Sequence, residues 1–200
     1  WPGVLEAFRL IGSEQIQGRA SLGGNICNGS PAGDSVPALI AAGCIALIAG
    51  PNGKREIPIE EFHIGPGKTV LDNGEMLVSL KFPKREINSS DAYLRMTPRT
   101  EMDIAVVGCG VNITFENNVC TAARVSLGAV APTPLLIKEA SKIMVGSDLN
   151  SEILDKVSKI CMDLCDPIDD KRGTIDYRTK VAGVLFKRAT LTTIDRIKGN

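Results

Sequence analysis

The sequence predicts an α+β protein built from two successive units. Three observations carry this. After residue 86, strand-like stretches come first and helix-like stretches follow. Strands that precede helices in this way place the helices on a face of an antiparallel sheet. Before residue 86, glycine and proline cut the chain into short elements, and no internal repeat or low-complexity tract runs through either part.

Taken in order, "WPGVLEAFRLIGSEQI" starts as an amphipathic helix, with Val4, Leu5, Phe8 and Ile11 near helical spacing. A side-chain-poor stretch follows, "GRASLGGNICNGSPAGD" at 18–34. "DSVPALIAAG" reads as a second helix, with Asp34 or Ser35 as N-cap, Pro37 in the first turn and Gly43 at the end. "CIALIAG" is a short buried strand, "PNGKR" a turn and "REIPIEEF" an extended piece. After the Gly-Pro-Gly loop, Asn73-Gly74 marks a turn and "EMLVSLKFP" alternates as a strand.

"KREINSSD" at 84–91 is polar and reads as the linker, so the domains are set at 1–86 and 87–200. Three strands are predicted in the second, at 92–97, 104–114 and 119–128, with "ENN" turning the last pair. Helices are predicted over 134–144, 151–164 and 174–190.

Composition excludes several functions. Lys plus Arg and Asp plus Glu both total 23, so the chain carries no net charge and no broad field for nucleic acid. An anionic ligand must then be held by local geometry. The longest apolar run, "VPALIAAGCIALIAG", is interrupted by proline and glycine and falls short of a membrane span. The start has no signal-peptide core and no Met, which suggests a piece of a longer or processed chain. Six cysteines form no CxxC pair, and His63 is the single histidine. Metal clusters and Ser-His-Asp chemistry lose support, and free thiols in a reducing cytoplasm are expected. No catalytic side chain and no metal ligand is assigned.

The stretch at 18–34 is the candidate site. Gly23, Gly24 and Asn25 are read as a tight turn whose glycines take positive φ, aiming successive amides into one concavity. Such a nest holds an oxyanion without lysines, helped by the helix that begins near Asp34. Ser21 and Asn25 can donate to phosphate or sugar, and Asp34 suits a sugar hydroxyl. Neither a Rossmann GxGxxG nor a Walker A motif is present.

"ASLGGNICNGSPAGDSVPALIAAG" resembles the second flavin-binding motif of the FAD subunits of molybdenum hydroxylases. That family includes the carbon monoxide dehydrogenase flavoprotein and the FAD domain of xanthine dehydrogenase. The likeness continues through "GPGKTVL", "GEMLVSLKFP", "AYLRMTPRTEMDIAVVGCGV", "LGAVAPTPLLIKEA" and "DPIDDKRGTIDYRTKVAGVLFKRA". It covers nearly the whole chain in order.

The resemblance implies the second lobe of a vanillyl-alcohol-oxidase-type (PCMH-type) FAD-binding domain. A C-terminal domain of a three-stranded antiparallel sheet and helices would follow it. Ser21, Gly23, Gly24, Asn25 and Cys27 would then line the FAD diphosphate and adenosine, and Asp34 would meet a cofactor hydroxyl. Met76 or Leu77 would offer backbone contacts near the adenine or flavin. Tyr93 and Arg95 would flank the isoalloxazine, Arg95 standing where many relatives carry Lys and facing the charge of the reduced ring.

The implied function is electron transfer from [2Fe–2S] clusters of a small subunit through FAD to an acceptor. Substrate oxidation would occur at a molybdopterin centre in a large subunit, within a possible dimer of heterotrimers. The family's first lobe, with its Ala-Gly-Gly-Thr-type motif, is absent from these 200 residues. Two other functions stay open: an assembly module without FAD, and a non-redox nucleotide or phosphate binder.

Overall fold

The computed structural model describes residues 1–100 and 102–199. The chain is α+β throughout. Its first part holds α1 (Pro2–Arg9), α2 (Glu14–Gln17), α3 (Leu22–Cys27) and α4 (Ser35–Ala42). Strands β1 (Ile45–Gly50), β2 (Gly53–Pro58) and β5 (Met76–Lys81) form an antiparallel sheet in the order β2-β1-β5. A small hairpin pairs β3 (His63–Gly65) with β4 (Lys68–Thr69).

The second part is a four-stranded antiparallel sheet of β6 (Ser89–Met96), β7 (Val107–Glu116), β8 (Val119–Gly128) and β9 (Leu135–Leu136). It is followed by α5 (Lys138–Met144), α6 (Ser151–Asp163) and α7 (Ile175–Lys198).

Several elements differ from expectation, each for a local reason. The first helix stops at Arg9 because Gly12 turns left-handed, with φ +64, and the chain restarts as α2. The sheet of the second unit has four strands, not three: β9 adds two residues to the edge of β8. The polar 84–91 stretch already enters β6 at Ser89. The last helix runs on to Lys198, because Ala189, Thr190, Thr193 and Ile194 keep its inner face buried. Gly43 ends α4 as expected, in the left-handed conformation at φ +71.

The four-stranded sheet is covered on both faces. One face packs against α5 and α7, the other against α1 and α4. Strand β7 explains how. Val107, Cys109, Val111 and Ile113 point to one side and join Phe186 and Val157 in a buried core. The alternate positions Gly108 and Gly110 point to the other. There α4 lies so close that a Cβ on Gly110 would stand 2.5 Å from the Pro37 carbonyl oxygen. The strand therefore alternates apolar residues with bare backbone, and each face meets a different layer.

A second core lies beneath α4, where Ile26, Leu39, Ile40, Ile48 and Phe62 are buried. Tyr93 of β6 belongs to this cluster, although it comes from the strand that opens the second unit. Arg124 of β8 donates to the Ile40 carbonyl (2.9 Å) and pairs with Glu60 (2.9 Å), bridging the same seam. In the "DPIDDKRGTIDYR" stretch the central group is Arg178. It is 4% exposed, donates to the Val106 carbonyl (2.7 Å) and pairs with Asp170 (2.7 Å), so the start of α7 is tied to β7.

Gly110→Ala should force α4 off the sheet. The expected loss, about 1–3 kcal/mol for an overpacked core site, is read by denaturant unfolding. An unchanged midpoint would mean that α4 is not seated by this contact.

Candidate functional site

The glycine-rich stretch is a helix start rather than a positive-φ nest. Ser21 is the N-cap of α3; its Oγ accepts the Gly24 amide (3.0 Å) and its carbonyl accepts the Asn25 amide (3.0 Å). Gly23 and Gly24 sit inside the helix, and neither has positive φ. The expected turn is thus corrected: a capping serine supplies the first acceptor, and the glycines continue a short helix. What glycine provides is space. A Cβ on Gly23 would meet nothing within 4 Å, so the backbone there is bare and faces open space. The Leu22 and Gly23 amides, at the first turn, have no intrahelical acceptor.

Asn25 is half-buried, and its Oδ1 accepts the Ser35 hydroxyl (2.6 Å), which joins α3 to α4. Cys27 ends α3 and is exposed. Met76, exposed, and Leu77, half-buried, open β5, the strand against which α3 lies.

Asp34, Tyr93 and Arg95 come together, in a different arrangement from the expected one. Asp34 precedes α4 but makes no side-chain cap. Its carboxylate accepts the Tyr93 hydroxyl (2.9 Å) and the Arg95 guanidinium (2.7 Å). Arg95 also donates to the Leu10 carbonyl (3.1 Å). The side chains of Arg95 and Asp34 are only 7% and 11% exposed. Burial pushes the Asp34 carboxyl above its ordinary value, partly offset by the Arg95 charge and the bonds from Tyr93 and Arg95. Burial, with the Asp34 charge behind it, pushes the Tyr93 phenol well up.

Tyr93 is 2% exposed and packed in the first unit's core. Its phenol is an internal partner of Asp34, and β6 directs it onto the bare Gly108–Gly110 backbone. Each Asp34 carboxylate oxygen accepts one bond from within the protein, Oδ1 from Tyr93 and Oδ2 from Arg95.

Two cavities join these groups. One, of about 270 Å³, is lined by Leu5, Phe8, Ile11, Ser21 and Leu22, together with Arg9 and Gln17. The other, of about 520 Å³, runs past Leu10, Gly12, Glu14 and Thr100 to Arg95, and Arg9 and Gln17 line it too. The two cavities share Arg9 and Gln17; one reaches the start of α3, the other reaches Arg95.

Arg9 and Gln17 escaped the sequence reading. The signal available was Arg9 standing off the apolar face of the first helix; nothing in sequence marked Gln17. A third cavity, of about 370 Å³, lies between Pro31, Pro66, Ile104, Ala129 and Ile168. Its arginines, Arg172 and Arg178, are spent on Asp103 and Asp170.

His63 is buried, its Nε2 facing the Ile26 carbonyl at 2.7 Å, and burial lowers its pKa. Among the described residues, no group of His, Cys, Asp and Glu could hold a metal ion, and no helix is long and apolar enough to cross a membrane.

Residues 1–85 match the family model of the FAD binding domain in molybdopterin dehydrogenase, and residues 92–193 that of the CO dehydrogenase flavoprotein C-terminal domain. The chain is 31% identical over 188 residues to the carbon monoxide dehydrogenase medium chain of Hydrogenophaga pseudoflava, covering 94% of this chain and 65% of that one. It is 30% identical over 188 residues to the putative xanthine dehydrogenase FAD-binding subunit XdhB of Escherichia coli, covering 94% and 64%. The structure of reconstituted CO dehydrogenase from Oligotropha carboxidovorans superposes with a TM-score of 0.94 at 31% identity, covering 98% of this chain and 68% of that chain. The chain therefore spans about 65% of the length of these sequence relatives.

Tyr93→Phe should leave an Asp34 oxygen without its donor inside the seam. A loss of about 1–3 kcal/mol is expected for a buried acceptor so deprived, measured by thermal unfolding. A variant as stable as the parent would mean that water replaces the hydroxyl.

Proposed function

This chain belongs to the family of FAD-binding flavoprotein subunits of the molybdopterin dehydrogenases, and from that premise we propose that it helps bind one FAD and passes electrons through it. The carrying observation is the pair of cavities that share Arg9 and Gln17, one reaching Ser21 and Leu22 at the start of α3 beside the bare Gly23 backbone, the other reaching Arg95. The donor set fits the cofactor: open space at the glycine, amides without an intrahelical acceptor, an apolar wall and cations beside it.

FAD, when bound, supplies a centre that accepts two electrons and can exchange them one at a time with an iron–sulfur carrier. The chain's own part is to hold, orient and shield. Ser21, Gly23 and Gly24 would lie along the diphosphate, with Asn25 fixing α3 to α4 behind them and Cys27 at its end. Met76 and Leu77 would approach the adenosine side through β5. Arg95 and Asp34 would close the far end of the cleft. No general base is needed, which suits a chain with one buried histidine.

We place the boundary between the two units at 86/87. The two matched ranges, 1–85 and 92–193, support it. Electrons would come from [2Fe–2S] clusters in a small subunit, fed by a molybdopterin centre in a large one. Their acceptor would be NAD⁺, a quinone or another carrier. Assembly as a dimer of heterotrimers in the cytoplasm completes the proposal; the free cysteines and the absence of any net charge accord with that setting.

The test uses the complete flavoprotein subunit, including the lobe that relatives carry. Flavin absorbance in the purified protein is expected. Adding FAD to the deflavinated subunit at a hundredfold its Kd should stabilise it by about 2.7 kcal/mol. Gly23→Val fills the open space beside the first turn of α3 and should weaken FAD at least tenfold at an unchanged melting temperature. A subunit that joins a large partner yet never takes up flavin would instead be an assembly module. Uptake of ADP with no uptake of FAD would make it a nucleotide binder.

A further inference from the structure

We propose that Arg9, rather than Arg95, supplies the positive charge that stabilises the reduced isoalloxazine. The inference rests on the FAD-binding reading above and assigns the electrostatics of that same site.

Arg95 looks suitable in sequence, but the fold has spent its charge. Its guanidinium is buried against the Asp34 carboxylate at 2.7 Å, and the same nitrogen donates to the Leu10 carbonyl. A compensated pair acts on the cleft as a dipole, and its field falls off faster than that of a single charge. Arg9 differs on each count. It is exposed, it lines both cavities, and no carboxylate among the described residues forms an ion pair with it. Glu14 lines only the larger cavity, so the smaller groove meets Arg9 without that carboxylate. The groove's walls, Leu5, Phe8, Ile11 and Leu22, suit a flat tricyclic ring with a cation at its rim.

The position of Arg9 is held through its backbone. Gln17 Nε2 donates to the carbonyls of Arg9 (2.9 Å) and Ile11 (3.1 Å), and Arg95 donates to that of Leu10 (3.1 Å). Three successive carbonyls at the end of α1 are therefore fixed from two sides. Arg95 is a positioning residue in this arrangement: it anchors the elbow that carries Arg9.

The redox balance explains the consequence. Two electrons from the iron–sulfur carrier class and one proton from solvent enter the ring, which gains one net negative charge; no bond forms to Arg9. A cation at the rim then favours the reduced form over the oxidised one. A cation on the diphosphate would favour both equally.

The experiment measures Kd for oxidised and for reduced FAD in the complete subunit, anaerobically. Arg9→Gln is expected to lower the reduced-over-oxidised affinity ratio about tenfold, equivalent to a potential about 30 mV more negative. Arg9→Lys should keep most of the parent ratio. The double variant Asp34→Asn/Arg95→Gln removes the pair as a neutral unit together with one of the bonds that hold the Arg9 elbow, and should lower the ratio by less than Arg9→Gln does. An unchanged ratio in Arg9→Gln overturns the proposal, even if both affinities drop together. A tenfold drop in the double variant with none in Arg9→Gln assigns the charge to Arg95 and overturns it as well. A parent subunit that binds neither form of FAD refutes the FAD reading itself, a result separate from these.

Discussion

The contact between α4 and the bare face of β7 governs the rest of the molecule. Pro37 can rest on Gly110 only because that strand presents no side chains there. The approach brings the start of α4, and with it Asp34, to the Tyr93 and Arg95 side chains of β6. It also joins the two cores across one sheet, so helices of the first unit cover a face of the second. The cleft inherits its shape from this seam. Were α4 held farther off, Asp34 would lose both partners.

Charge in the site is partitioned by depth. A buried ion pair costs desolvation, and its worth depends on complete hydrogen bonding. Asp34 meets that demand with Tyr93 and Arg95, and Arg95 with Asp34 and Leu10. The pair therefore specifies one arrangement of α1, α4 and β6 while contributing little net field. Charge at the surface works the other way: Arg9 is exposed and, among the described residues, forms no ion pair, so a ligand that displaces water from it gains the interaction. Arg95, on β6, thus serves structure, while Arg9, on α1, leaves its charge to the solvent side.

Much of the architecture was legible from pattern alone. "VVGCGV" alternates apolar residues with glycine, and the strand it forms follows that alternation. Gly43 ends α4 by adopting the left-handed conformation, and α6 falls within a residue of its expected span. Local rules sufficed there because local contacts decide those elements. They failed at Gly23 and Gly24, where glycine suggested a turn. A serine cap with a supportive neighbour, Asn25, was enough to continue a helix. They failed again at β9 and at the far end of α7, which are held by pairing or burial against distant elements.

The sequence by itself determined the fold class, the succession of strands and then helices after residue 86, and the family. Each of these follows from residue spacing or from motifs continuous in the chain. Only the tertiary structure decided which charges face the cleft. Asp34, Tyr93 and Arg95 lie up to 61 positions apart, and no local pattern reveals that they neutralise one another. The difference is physical: periodicity records which side of an element is apolar, whereas the field at a site depends on which distant partner has already taken each charge.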